Sequence, residues 1–276
     1  MAAAKNAFKP PPGTCDTHCH VFGPAARFPY SPTRKYTPDD VPQEAVAAAH
    51  RALGIERAVF VQASAYGTDH AALLDAIAAD PARRRGVAII DDSFDDKGLR
   101  ALHEGGVRGA RFNFVPHLGG PPPPDLLRRV HDAVRPLGWH LVFHIGPTDL
   151  EAIDALLPEL SVDIVIDHMA RVDAKAGADQ PAVKALVELA RRPEVWVKVS
   201  GAERIAPPPF GLAAPIARAL VEASPDRTLW GTDFPHPNPI YPPDDEAVMA
   251  LIPTYAPAAE AQRRLLVDNP ARLYGF

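Results

Sequence analysis

Lysine and arginine never gather into a run longer than the three residues 83–85, and 29 of them against 34 Asp and Glu leave a formal charge of −5. A polyanion partner calls for a basic stripe, so neither nucleic acid nor an anionic membrane surface is expected as a partner. Long apolar runs are also lacking: none reaches the roughly 20 residues that a bilayer span needs. Met1 to Pro12 has no apolar core and breaks into prolines, so neither a signal peptide nor an anchor is expected there, and the chain reads as cytoplasmic. The only two cysteines, Cys15 and Cys19, sit on a spacing that suits neither a zinc knuckle nor a disulfide framework and read as reduced, part-buried thiols. A glycine-rich turn after the first strand, which a doubly wound nucleotide-binding sheet would show, is absent as well.

What the chain has in excess is proline, 32 residues, about twice the usual share. The prolines concentrate at 10–12, 121–124, 207–209 and 235–243, outside the periodic segments, and read as stiff loops. Between them the sequence alternates short apolar runs with amphipathic ones. Strands are expected at 14–22, 57–62, 86–90, 107–114, 139–145, 162–167, 195–200 and 228–231. Helices are expected at 43–53, 69–79, 97–104, 125–137, 149–157, 181–191 and 212–223, with a helical tail at 244–256 and 258–267. Gly54 and Gly138 stand just past the last apolar residue of their helices, a stop signal. Strands without period-2 polarity are buried on both faces, and eight such units point to a closed parallel (β/α)₈ barrel, an α/β fold of about this size. The expected organisation is an arm at 1–13 followed by one TIM barrel at 14–276 that ends in a helical extension.

Such a barrel builds its site where the strands end. In the first strand His18 and His20 are two apart and share a face. The fourth strand ends in Arg111 and Asn113 and the fifth in His144. The sixth ends in Asp167 and His168 with Arg171 beyond, the seventh in Ser200, Glu203 and Arg204, and the eighth in Asp233 with His236 after it. Any one of these has an ordinary structural reading; it is their convergence on one barrel end that marks a site. His18, His20 and His144 with the carboxylate of Asp233 form a nitrogen-rich set suited to one divalent ion, zinc first, that activates water. Catalysis without metal stays open. Asp233 could take the water's proton, and His168 could polarise a carbonyl. The arginines suit a forked grip on a substrate carboxylate, and His117, in the loop after strand four, is a further candidate contact. His140, near the start of strand five, reads as structural.

The segments 16–24 (DTHCHVFGP), 108–114 (RGARFNF), 167–171 (DHMAR), 230–236 (WGTDFPH) and 269–276 (NPARLYGF) together resemble the amidohydrolase superfamily. More narrowly they resemble its branch of 2-pyrone-4,6-dicarboxylate lactonase and related sugar-lactone and muconolactone hydrolases. The resemblance implies a barrel that opens a small anionic lactone with water. It implies Asp233 as general base, His18, His20 and His168 around the carbonyl, and Arg111, Arg171 and Arg204 on carboxylates. Arg111 or Asn113 stands where the superfamily's bridging lysine would be, so a carbamate-bridged metal pair is not expected. His117 replaces a second arginine of the dicarboxylate enzyme. His144 occupies the position that mononuclear members use for metal. Two alternatives stay open: a metal-dependent decarboxylase of a small aromatic or unsaturated acid, for which related barrels use similar histidines, and a non-catalytic small-anion binder on an inherited scaffold. A homo-oligomer is left open.

Overall fold

The computed structural model describes residues 8–276; the first seven residues of the expected arm lie outside it. Eight parallel strands run in sequence order: β1 (Cys15–Cys19), β2 (Arg57–Val61), β3 (Arg84–Ala88), β4 (Val107–Asn113), β5 (His140–His144), β6 (Ile164–Ile166), β7 (Val195–Lys198) and β8 (Thr228–Leu229). The seam between last and first closes through backbone bonds: Thr17 N–H donates to Trp230 O at 3.0 Å, Asp233 N–H to His18 O at 2.8 Å and His20 N–H to Phe234 O at 2.8 Å. The helices α1 (Gln43–Leu53), α2 (Ala71–Ala78), α3 (Asp96–Glu104), α4 (Pro124–Val134), α5 (Leu150–Leu156), α6 (Pro181–Ala190), α7 (Ala202–Ile205) and α8 (Ala214–Ala223) follow the strands. The expected (β/α)₈ barrel is the observed fold. No helix among the described residues is long and apolar enough to cross a membrane.

Several boundaries fall short of the apolar pattern for identifiable reasons. The α4 helix stops at Val134 and tightens into a 3₁₀ turn, because Pro136 has no N–H to continue the ladder. The tail is shorter pieces: α9 (Asp245–Ala250), α10 (Ile252–Tyr255), α11 (Ala259–Arg263) and α12 (Asn269–Tyr274), with a π-turn at Arg264–Asp268. Glu203 and Arg204 lie on α7 and not at the end of β7. Cys15 and Cys19 are fully buried, not part-buried.

The barrel interior is a layer of Cys15, Val59, Val61, Val87, Val142, Val165, Trp196 and Leu229, closed from below by Tyr274 of α12. The larger core, including Leu141, Phe143, Ile164, Ile166, Val195 and Val197, lies between strands and helices. Side chains two apart on a strand share a face. Asp167, Lys198 and His144 are each two residues beyond an interior apolar residue, and so form a polar layer directly above the apolar one. On β1 strict alternation would put Cys15 and Cys19 on one face with His18 on the other. The β1–β2 register shifts between Asp16 and Cys19, and this irregularity turns His18 inward while Cys19 joins the outer core.

Asp16 clamps the seam from beneath. Its Oδ1 accepts the backbone N–H of His18 at 2.9 Å and of Thr232 at 3.0 Å, and its Oδ2 accepts the Thr232 hydroxyl and His50 Nε2 at 3.0 Å. Gly231 leaves room for this: a Cβ there would lie 2.7 Å from the His18 backbone nitrogen. Burial pushes the Asp16 carboxyl up, but the His50 and Thr232 bonds outweigh it and hold it below its ordinary value of 3.8. A depressed folded value stabilises above the unfolded one and is lost as pH falls through it. Asp16→Ala, which leaves buried donors unpaired, is therefore expected to lower unfolding free energy by about 3–5 kcal/mol at neutral pH. In urea titrations the difference from the unsubstituted chain should shrink only below about pH 4; a loss under about 1 kcal/mol at pH 7 would contradict the clamp.

Candidate active site

The polar layer is organised around two buried carboxylates. Asp167, just past β6, reaches across three strands. Its Oδ2 accepts Arg111 Nε of β4 at 3.0 Å, and its Oδ1 lies 3.2 Å from Lys198 Nζ of β7 and 3.3 Å from His18 Nδ1 of β1. Lys198 also meets His18 Nδ1 in hydrogen-bonding geometry at 3.2 Å. Burial alone would raise the Asp167 carboxyl, yet Lys198, His18 and Arg111 hold it well below the usual carboxylate range. Burial pushes Lys198 down, opposed by Asp167.

Asp233, past β8, is the second. Its Oδ2 is taken by both Nε and Nη2 of Arg204, whose Nη2 also donates to Pro237 O at 3.1 Å. Its Oδ1 is buried with no hydrogen-bond partner among the described residues, and three imidazoles ring it: His20 Nε2 at 3.4 Å, His18 Nε2 at 3.7 Å and His168 Nε2 at 4.0 Å. Burial opposes ionisation, but Arg204, then His168, His20 and His18, hold the carboxyl well below its ordinary value. Burial likewise drives three imidazoles toward the neutral form, His18 to about 4 and His168 and His144 well below 6.5.

His168 and Arg171 are presented by an unusual backbone. Four consecutive residues, His168, Met169, Ala170 and Arg171, have φ of 52°, 51°, 51° and 53°. Left-handed geometry costs L-residues roughly 1–2 kcal/mol each, and such strain persists only where surroundings enforce it. Here Met169, Ala170 and Val172 are fully buried, and His168 Nδ1 is bonded to Ser200 Oγ at 3.0 Å. Gly201, at φ +71°, makes room, since a Cβ there would lie 2.8 Å from His168 Nδ1. A turn of about three residues brings His168 and Arg171 to the same side. Arg171 keeps one buried nitrogen, Nη1, without a partner.

His144 donates Nδ1–H to Asn113 Oδ1 at 3.1 Å, and its Nε2 is buried without a partner. Its ring packs edge-on to His168 with centroids 5.4 Å apart. His117 is exposed, in the turn Pro116–Leu118, with Arg171 and Arg204 among the charges that depress it after burial. His140 is on the barrel floor, edge-on to Tyr274 at 5.1 Å. Three groups had no assigned role from sequence and belong to the site: Asp167, Lys198 and Tyr36. The half-buried Tyr36 phenol, raised by burial, has Arg111, Asp233 and Arg204 as its nearby charges. The one sequence signal for Lys198 is its parity with Trp196 and Ser200 along one strand face.

Whether the donors suit a metal can be asked atom by atom. His20 Nδ1–H donates to Val61 O at 2.8 Å, which fixes its lone pair on Nε2, facing the unpartnered Asp233 Oδ1. Two acceptors facing each other need a proton or a cation between them. His18, His20 and Asp233 bring one donor atom each within 4.8 Å of one another, so these three fit a divalent ion. His144 is not in any such group of three; its Nε2 points into the site from beside His168. The three other clusters fit poorly. In that of His18, Asp167 and His168, Arg111 and Lys198 already hold Asp167. Asp16 beside Cys19 and His50 is already fully bonded. In the cluster of Glu203, Asp233 and His236, the Arg204 guanidinium occupies Asp233 and lies 3.8 Å from Glu203, while His236 bonds Asp245 at 2.7 Å. His236 is pushed down by burial but pulled up to about 10 by Asp245 and Glu203.

A cavity of about 250 Å³, lined by Phe22, Tyr36, Val41, His236 and Pro237 among others, opens beside this layer. A larger one, about 340 Å³, is at the opposite barrel end near Trp139, His140 and Trp196. Of the two, the first is the one bordered by site-side groups, Tyr36 and His236.

Comparison with known proteins agrees with this geometry. The chain is 42% identical over 98% of its length to a 2-pyrone-4,6-dicarboxylate hydrolase of Comamonas testosteroni, of which 93% is covered. It is 40% identical over 97% of its length to a 4-sulfomuconolactone hydrolase of Hydrogenophaga intermedia, 90% of which is covered. A solved structure of a probable 2-pyrone-4,6-dicarboxylic acid hydrolase from Acinetobacter baumannii, with citric acid bound, superposes with a TM-score of 0.83 at 28% identity, covering 96% of this chain and all of that one. The amidohydrolase family model matches residues 15–276, and the chain belongs to that family.

Proposed function

We propose that this protein hydrolyses a small lactone that carries a carboxylate or similar anion, by adding water to the lactone carbonyl. The observation that carries the reading is Asp233. One of its oxygens is pinned by Arg204, while the other is buried, ionised and unpartnered amid His18, His20 and His168. The relatives named above are lactone hydrolases, which favours ring opening over the decarboxylation also considered from the sequence.

In this reading Arg171, with an unpartnered Nη1, holds the substrate anion, and His117 stands at the rim beside it. Arg111 and Arg204 have a second task besides the substrate anion. Each is already paired with a carboxylate, so Arg111 fixes Asp167 and Arg204 fixes Asp233, and their remaining nitrogens complete the anion site. Asn113 likewise acts through His144. A water between Asp233 Oδ1 and the carbonyl carbon loses its proton to Asp233 as it attacks. Negative charge grows on the carbonyl oxygen, where an imidazole N–H from His168 or His18 stabilises it; a donor aimed at a forming oxyanion contributes a few kcal/mol. Collapse breaks the acyl–oxygen bond, and the proton on Asp233 passes to the departing ring oxygen. Because Asp233 is held well below the usual range, it is a weak base but ionised at neutral pH, and the polarised carbonyl has to supply much of the driving force. A divalent ion, zinc by the character of the donors, held by His18, His20 and Asp233 with His144 nearby, would supply Lewis-acid polarisation and a more acidic water.

Asp233→Asn should reduce kcat on 2-pyrone-4,6-dicarboxylate or 4-sulfomuconolactone by about a hundredfold to ten-thousandfold, with KM little changed; full turnover would remove Asp233 as the base. Arg171→Met should act mainly on KM, raising it about tenfold to a hundredfold, as loss of a charged hydrogen bond does. An unchanged KM with reduced kcat would move Arg171 from anion binding to another role.

A further inference from the structure

The catalytic reading uses His18 Nε2 in one of two ways, and the structure contains the device that chooses between them. A neutral imidazole carries one proton, so a hydrogen bond to one ring nitrogen decides what the other presents. His18 Nδ1 has two rivals. Asp167 Oδ1, at 3.3 Å, can only accept and would hold the proton on Nδ1. Lys198 Nζ, at 3.2 Å, has N–H to give whether or not the amine is ionised, and would hold the proton on Nε2. By distance and angle the contact that closes as a hydrogen bond is Lys198 Nζ to Nδ1, while Asp167 Oδ1 stays close enough to pull on both His18 and Lys198.

We propose that Lys198 is a positioning residue that selects the His18 tautomer, and so decides whether Nε2 offers a proton to a forming oxyanion or a lone pair to a cation. In the arrangement observed, Lys198 donates to Nδ1 and Nε2–H faces the space beside Asp233 Oδ1, 3.7 Å away. A cation on Nε2 needs the other tautomer: the proton moves to Nδ1, Asp167 Oδ1 accepts it, and Lys198 keeps only its contact with Asp167. His20 has no such choice, because Val61 O can only accept. The two imidazoles of one strand are thus unequal. The donor of His20 is committed, whereas that of His18 is set by a buried lysine. His18 is fully buried, and its ring neighbours, His20 at 5.0 Å and His168 at 4.4 Å between centroids, both bring Nε2 within 4.0 Å of Asp233 Oδ1. The inference rests on the hydrolase reading only for what the proton is used for; the tautomer itself is read without turnover.

The test is long-range ¹H–¹⁵N correlation of the full chain, ¹⁵N-labelled at histidine and stripped of metal, with His18 assigned by its loss in His18→Gln. The expected pattern is protonated Nε2 and bare Nδ1; protonated Nδ1 would overturn the proposal, whatever any variant does. In Lys198→Met, which leaves Asp167 with Arg111 and His18, His18 should switch to the Nδ1–H pattern. Zinc titrated calorimetrically should then bind about tenfold or more tightly, the scale of effects exerted by groups that orient metal ligands. Tighter zinc binding without the tautomer switch would assign the effect to lost charge and overturn the role proposed here. A switch to Nδ1–H accompanied by slower metal-free hydrolysis would complete the support.

Discussion

A single buried carboxylate, Asp167, holds the mouth of this barrel together. It stands at the end of β6 and touches groups from β4, β7 and β1: Arg111, Lys198 and His18. Neither cation, Arg111 or Lys198, could stay buried alone, since an unpaired charge in such an interior costs several kcal/mol. The paired set gives the apolar barrel a rigid polar lid one side chain thick. Asp16 does the same service one layer lower, joining the β1 backbone to Thr232. In the reaction proposed above, both carboxylates position other groups and neither takes part in the chemistry.

On that foundation the site separates atoms that are satisfied from atoms that are not. Arg204 satisfies one oxygen of Asp233, Ser200 one nitrogen of His168, Val61 one of His20 and Asn113 one of His144. In each case the other atom is left facing the same small space. Buried polar atoms without partners are rare and unfavourable, so their concentration at Asp233 Oδ1, His18 Nε2 and His144 Nε2 marks where substrate, water or cation completes the bonding. The left-handed turn at His168–Arg171 is part of the same design, with strain held in place by the packing of Met169 and Ala170 so that base-side and anion-side groups face one another.

The barrel was legible because buried strands and amphipathic helices alternate in composition, and α1 even ends at the glycine that announces it. The strand-end rule picked out His18, His20, His168, Arg171 and Asp233, and the structure places all five at that end of the barrel. Other features were hidden for physical reasons. Lys198 is a charged residue in the midst of an apolar strand, and only its parity with Trp196 indicates that it points inward. The irregularity in β1 exchanges the faces of His18 and Cys19, which no composition signal records. The segment His168 to Arg171 contains neither glycine nor asparagine, so its left-handed path comes from tertiary packing. Arg111 and Asn113 were expected to face substrate; partners on β6 and β5 claim them first, and such pairings across strands depend on register.

The central claim is that water adds to the lactone carbonyl with Asp233 as the base. Its most direct measurement is single-turnover ring opening of 2-pyrone-4,6-dicarboxylate or 4-sulfomuconolactone in ¹⁸O-water, with the product fragmented by mass spectrometry. The account predicts one ¹⁸O in the carboxylate formed from the lactone carbonyl and none at the former ring oxygen. Label at the former ring oxygen, or a product without solvent oxygen, would contradict it.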